Sequence, residues 1–171
     1  MKKYLFLSVV LFLIIFIYSI TKINKKTYMI LGYSEDSNYI IEKKQNLIDN
    51  NKLLSYNTKF INKNYRITDV INDIKYQKEI DGKTILNYII KADYITINIG
   101  YNDFSSIKSD DNMYENMDRI ILDLDELFTL IRKYSKEEIQ FLKIEVNSGI
   151  DNYIESQIKK LCRKHNIDYI S

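Results

Sequence analysis

The chain has 171 residues, enough for one domain with a sizeable core even without an N-terminal segment. Its 25 Lys and Arg nearly balance 23 Asp and Glu, and the net charge of +2 gives no strong field to attract nucleic acid. The single cysteine, Cys162, excludes an intramolecular disulfide and a multi-cysteine zinc cage. We expect Cys162 to be a small apolar helix residue. The sequence predicts no nucleic-acid partner, no metal and no cofactor.

The first 26 residues form a membrane-directed segment. Lys2 and Lys3 precede an apolar stretch, residues 4–20, that is short for a spanning helix but longer than most signal-peptide cores. No small-x-small cleavage pattern and no lipid-accepting cysteine follow it. The sequence predicts one N-terminal transmembrane helix that anchors residues 27–171 in the lipid of the cell membrane. Cleavage of the segment is the alternative, and an extracellular domain is a hypothesis because lysines flank both ends.

Strand patterns recur along the single domain after residue 26. Apolar runs predict strands at 28–31 and 94–99, and a glycine closes each. Weaker runs predict strands near 54–60, 139–146 and 168–170.

Helical spacing fills the gaps between these strands. An apolar stripe predicts a helix from Met113 to Ile131, another is predicted at 151–165, and a shorter one follows Thr68 as its N-cap. Asp81-Gly82 predicts a turn. Alternating strands and helices favour a parallel sheet, because parallel neighbours need crossover connections. The predicted fold is α/β, a flavodoxin-like three-layer α/β/α sandwich with a mainly parallel sheet.

Two polar loops would lie at the carboxyl edge of this sheet, where ligand sites of open α/β sheets form. The loop at 32–37 contains Ser34, and the loop at 100–104 contains Asn102. A serine beside a base can act as a nucleophile, and an asparagine amide can stabilise an oxyanion, which is the logic of acyl transfer. Each signal alone is weak, because Asn-Asp after glycine is also ordinary turn chemistry.

Three segments, in order, resemble the conserved blocks of the SGNH (GDSL-type) esterase family. Residues 91–104, KADYITINIGYNDF, resemble the third block with its Gly-x-Asn-Asp core. Residues 28–34, YMILGYS, resemble the first block, and residues 65–73, YRITDVIND, the stretch after the second strand. The resemblance covers residues 28–171 and is greatest to the lipase-like branch of low-GC Gram-positive bacteria. It implies a secreted or membrane-tethered carboxylic-ester hydrolase acting on a small ester or an acylated glycan.

The resemblance also implies roles for three residues. Ser34 falls on the nucleophile, Asn102 on the oxyanion-hole amide, and Gly100 on the glycine that shapes the oxyanion loop. Tyr33 replaces the family's aspartate, and residues 64–68 contain no glycine to supply a second oxyanion donor. The family's Asp-x-x-His block, which supplies the general base, is not found after the last predicted strand. We therefore expect impaired catalysis.

The only histidine, His165, is a poor replacement for that base. It follows Arg163 and Lys164 at the end of the last predicted helix, where we expect a solvated residue favoured by the helix dipole. It would lie at the amino end of the last strand, opposite the proposed site. Acidic residues such as Asp123 and Asp125 are expected on polar helix faces. The alternative hypothesis is a non-catalytic, membrane-tethered α/β module, either a degenerate family member or a binding protein.

Overall fold

The computed structural model describes residues 9–16, 25–32, 42, 45, 55–61, 65–80, 82–107, 112–144 and 151–171. Within the predicted apolar stretch, residues 4–20, only residues 9–16 belong to this set, and they are helical and exposed. Among all described residues, no helix combines the length and the apolar character needed to cross a membrane. The anchor and the membrane location stay predictions.

Strands are interspersed with helices along the described residues from residue 25 onward. The strands are β1 (Lys25–Gly32), β2 (Ser55–Ile61), β3 (Glu79–Ile80), β4 (Lys83–Thr84), β5 (Tyr94–Asn98), β6 (Glu138–Leu142) and β7 (Asp168–Ile170). The helices after residue 61 are α1 (Ile67–Lys75), α2 (Ile85–Lys91), α3 (Tyr101–Ser105), α4 (Met113–Tyr134) and α5 (Asp151–Lys164).

Five of the strands form a parallel sheet in the order β2-β1-β5-β6-β7. Without the β3–β4 hairpin this is the 2-1-3-4-5 order of flavodoxin-like sheets, which confirms the prediction of a parallel α/β fold. The antiparallel β3–β4 hairpin was not predicted, because two-residue strands are too short to show a period. Gly82 lies in its turn with a φ of 72°, whereas Asp81 lies outside the described residues.

The main hydrophobic core lies between one face of the sheet and the described helices. Its buried residues include Met29, Leu31, Ile95, Ile97, Ile67, Val70, Leu124, Phe128, Ile131, Ile154, Ile158 and Cys162. On the opposite face Tyr28 and Ile30 are also fully buried, and the Tyr28 hydroxyl is hydrogen-bonded to Thr96 Oγ1 at 2.7 Å. The chain between β1 and β2 lies almost entirely outside the described residues, so the three-layer arrangement stays a prediction.

Helix α1 begins earlier than the sequence pattern predicted. Arg66, and not Thr68, occupies the N-cap position, and Ile67 is the first helical residue. The Asp69 carboxylate accepts a hydrogen bond from the Arg66 backbone N–H at 2.9 Å, as a capping box requires. This bond fixes the N-cap at Arg66, two residues before Thr68.

Strand β6 ends at Leu142, short of the predicted end near residue 146. Its neighbour β7 has only three residues, and its pairing with β6 ends at Leu142 and Ile170. The pairing of β6 with β7 therefore ends where the shorter strand, β7, ends. Just beyond it, Ile144 is buried in the core and lies next to Gly100.

Candidate active site

Two glycines close the adjacent strands β1 and β5 at the carboxyl edge of the sheet. Gly32 pairs with Asn98 and has a φ of 118°, and a Cβ added to it would lie 1.8 Å from the Asn98 carbonyl oxygen. Gly100 has a φ of 115°, and its Cβ would lie 2.8 Å from Ile144 Cδ1. Both positions require glycine, because L side chains are strained at these angles and the space is already filled. The two chain segments can thus approach each other closely.

The residues after Gly100 form one helical turn, α3, where the sequence predicted a loop. The Phe104 N–H donates to the Gly100 carbonyl at 2.9 Å, and the Phe104 side chain is buried. Half-buried Asn102 lines a crevice of about 10 Å³ together with Gly32, Gly100 and Tyr65. This volume is at the lower limit for one water molecule. The crevice therefore has room for about one oxygen-sized group.

Asp103 attaches the helix that carries Asn102 to helix α1. Its side chain is only 7% exposed, and its Oδ2 accepts a hydrogen bond from the Ile67 N–H at 3.3 Å. Burial raises the pKa of the Asp103 carboxyl, and the Ile67 bond and the Arg66 charge offset this only in part. Sequence analysis did not identify this role, because no local pattern shows that α1 begins beside α3.

Tyr65 occupies the region where the resemblance would place a glycine with an oxyanion donor. Its ring is half-buried at the crevice, and burial together with the Asp73 carboxylate raises the pKa of Tyr65 to about 12. Asp73 is itself buried and has Lys78 Nζ at 3.7 Å. The Tyr65 hydroxyl therefore stays protonated at neutral pH and cannot act as the base.

Ser34 and its neighbour Tyr33 lie outside the described residues. The structure therefore brings Gly32, Gly100 and Asn102 together, and the role of Ser34 stays a prediction. Gly32 is the last described residue before it.

His165 lies at the amino edge of the sheet, as predicted, but the prediction of a solvated side chain is wrong. Its side chain is 11% exposed, and its Nε2 lies 2.5 Å from Asp125 Oδ1. Lys164 Nζ donates to the same carboxylate at 2.7 Å, and the imidazole packs edge-on against Phe128. Burial would raise the pKa of Asp125, but the bonds from His165 and Lys164 outweigh it and hold the pKa below its usual value. This cluster joins α4 to the end of α5.

Cys162 behaves as the sequence predicted. It is buried in the core, and burial raises the pKa of its thiol to about 12. In the part of the chain that the structure describes, no group of three or more His, Cys, Asp or Glu side chains is arranged to hold a metal ion.

No protein-family model and no curated protein sequence matches this chain. Solved structures of hydrolases do. The acetylxylan esterase Axe2 from Geobacillus stearothermophilus has a TM-score of 0.54 at 13% identity, over 85% of this chain and 75% of that one. A lipase from a goat rumen metagenome has a TM-score of 0.58 at 14% identity, over 85% and 80%. At these identities the likeness concerns the fold, and the chain has an α/β fold with a mainly parallel sheet similar to that of these esterase and lipase structures.

Proposed function

We propose that this chain is an SGNH-type acyl-ester hydrolase of low activity, with Ser34 as nucleophile and Asn102 as oxyanion donor. The observation that carries the proposal is the pairing of Gly32 with Asn98, which ends β1 and β5 at the same level. Ser34 follows Gly32 by two residues, so covalent geometry keeps their Cα atoms within about 7 Å. Both proposed groups therefore start from adjacent strand ends.

The chemistry would proceed in two steps. Ser34 Oγ adds to the ester carbonyl carbon, and the Asn102 amide N–H donates to the oxygen that becomes negative. The intermediate collapses, the alcohol leaves with a proton, and an acyl-serine remains. Water then adds to the acyl carbon, and the carboxylic acid leaves as the serine hydroxyl is restored.

The described residues that line the crevice include no suitable base, and we therefore expect a low rate. Each addition needs a group that takes a proton from the serine hydroxyl or from water. The only histidine, His165, is bound to Asp125 at the opposite edge of the sheet. Tyr65, whose pKa is about 12, keeps its proton.

Substrate and location complete the proposal. The likeness to an esterase and a lipase supports an ester substrate, either a small ester or an acylated glycan. The apolar sequence of residues 4–20 supports anchoring in membrane lipid, with the domain outside the cell.

A second function, a non-catalytic membrane-tethered module, is favoured by one observation. His165 is held at the amino edge of the sheet by Asp125 and Phe128 and is remote from the crevice. Such a module would keep the sheet and bind a ligand at its carboxyl edge without catalysing a reaction of that ligand.

Hydrolysis of 4-nitrophenyl acetate by the full chain separates these functions. We expect slow hydrolysis that Ser34→Ala abolishes and that Asn102→Ala lowers about 10²-fold. The matched controls are Ser171→Ala and Asn152→Ala, which change exposed residues. We expect both to keep the wild-type rate. Equal rates for wild type and Ser34→Ala would overturn the nucleophile. No hydrolysis above background by folded wild type would favour the non-catalytic module.

A further inference from the structure

A second cavity, here called the α3 cleft, lies next to the Asn102 crevice and has a volume of about 360 Å³. Three elements form it. Helix α1 contributes Arg66 at its start, α3 and its C-cap contribute Asp103 and Ser106, and α4 contributes Asn116 and Arg119. The volume falls within the usual range for small-molecule sites.

The α3 cleft lies one helical turn away from the proposed oxyanion donor. Ser106 follows Asn102 by four residues, and its backbone is still helical, with φ of −82° and ψ of −9°. Residues four apart in a helix lie on the same face, about 6 Å apart. A ligand whose carbonyl oxygen is at Asn102 therefore needs to extend only a few atoms to reach the cleft.

The charged groups of the α3 cleft oppose one another. Two arginines, Arg66 and Arg119, share the lining with two carboxylates, Asp103 and Asp123. An anion would meet both carboxylates and a cation would meet both guanidinium groups. The cleft therefore does not select a ligand by net charge.

The lining has the groups that recognise hydroxyls. Guanidinium groups donate and carboxylates accept, while the Asn116 amide can do both. The Ser106 hydroxyl donates to the Asp103 backbone carbonyl at 2.7 Å, so it offers the cleft an acceptor. A hydroxyl group is donor and acceptor at once, so neighbouring hydroxyls on one ligand can use both kinds of partner. Ile107 and Ile120 add an apolar wall for carbon atoms.

We propose that the α3 cleft binds a neutral, polyhydroxylated group such as a sugar residue, and thereby presents an acyl ester on it to Asn102. Presentation of the ester rests on the proposed hydrolase function, whereas sugar binding does not.

The test is a titration of the ¹⁵N-labelled full chain with xylotriose, followed by NMR. We expect saturable shifts of cleft amides, including Ser106 and Asn116, at ligand concentrations of about 10 mM. Asn116→Ala removes one hydrogen-bonding group and should weaken binding about fivefold. The matched control Asn152→Ala, an exposed asparagine on α5, should bind as wild type does.

Three outcomes overturn the inference: no saturable shifts with xylotriose, cleft shifts with sodium phosphate but not with xylotriose, or wild-type binding by Asn116→Ala. Repeating the xylotriose titration with Ser34→Ala tests sugar binding separately from the hydrolase function. Sugar binding without any hydrolysis means that the cleft is a sugar site and that the hydrolase proposal alone fails. Ester hydrolysis without sugar binding means that the hydrolase proposal holds and that the cleft is not a sugar site.

Discussion

The two edges of the parallel sheet are built in opposite ways. At the carboxyl edge, Gly32 and Gly100 leave out side chains, and a small crevice remains beside Asn102. At the amino edge, side chains fill the space and bind one another, as His165 and Asp125 do. A histidine paired with an aspartate is therefore no evidence of catalysis by itself. Its position relative to the strand ends decides what it can do.

The same construction recurs at the amino ends of the central strands. Asp93 precedes β5, and its Oδ2 accepts the Thr27 N–H at 2.7 Å. Its Oδ1 lies 3.1 Å from Lys26 Nζ, and this carboxylate raises the pKa of Lys26. These contacts join β1 to β5 before the strands reach the crevice. The amino edge thus holds the strands in the register on which the carboxyl edge depends.

The largest expected effect comes from filling the carboxyl edge. Gly32→Ala should lower the free energy of unfolding by about 4 kcal/mol or more, because its Cβ would overlap the Asn98 carbonyl at an unfavourable φ. Gly82→Ala is the matched control, since its φ is 72° and nothing lies within 4 Å of its Cβ. It should cost about 1 kcal/mol from backbone strain alone. Urea denaturation checks both values, and equal losses would contradict the close approach.

The next largest effect on stability is expected from substitutions of Asp103. Because its folded pKa is raised, its contribution to stability is present below the unfolded pKa and is lost as pH rises through the folded value. At pH 7, Asp103→Asn removes the buried charge, keeps an acceptor for Ile67 N–H, and should leave stability unchanged or higher. Asp103→Ala removes the acceptor and should cost about 2 kcal/mol. Denaturation at pH 7 that shows equal losses would contradict this assignment.

A smaller effect is expected at the amino edge. Asp125→Asn weakens the bonds from His165 and Lys164, and should cost about 1 kcal/mol because the carboxylate is partly exposed. Ester hydrolysis should not change, since the cluster lies at the other end of the strands. Thermal denaturation and the 4-nitrophenyl acetate assay check the two halves. A large loss of hydrolysis in a folded variant would show that the edges are coupled.

The smallest effect is the pH dependence of that cluster. The pKa of Asp125 is lowered from 3.8, so its contribution is present above that value and is lost as pH falls through the folded pKa. Wild type should therefore lose slightly more stability than Asp125→Asn as the pH falls below about 4. Urea denaturation across this range measures the difference, and parallel curves would contradict it.

Local patterns were sufficient for the main elements and not for the contacts between them. Apolar runs closed by glycine predicted β1 and β5, and a helical stripe predicted α4, because burial leaves a period in the sequence. The pairing of His165 with Asp125 joins residues 40 positions apart, and no local period records it. The helical turn that carries Asn102 depends on Gly100 and on the buried Phe104, so it resembled a loop in sequence. Ser34 lies outside the described residues, so its role depends on its proximity to Gly32 in the chain and on the resemblance.

The most direct measurement is labelling of the full chain with a fluorophosphonate probe for activated serines, beside Ser34→Ala and His165→Ala. The account predicts slow labelling that Ser34→Ala abolishes and that His165→Ala leaves unchanged, because the proposed nucleophile follows Gly32 in the chain whereas His165 lies at the opposite edge of the sheet. Folded wild type that is not labelled, or labelling that persists in Ser34→Ala, would contradict it.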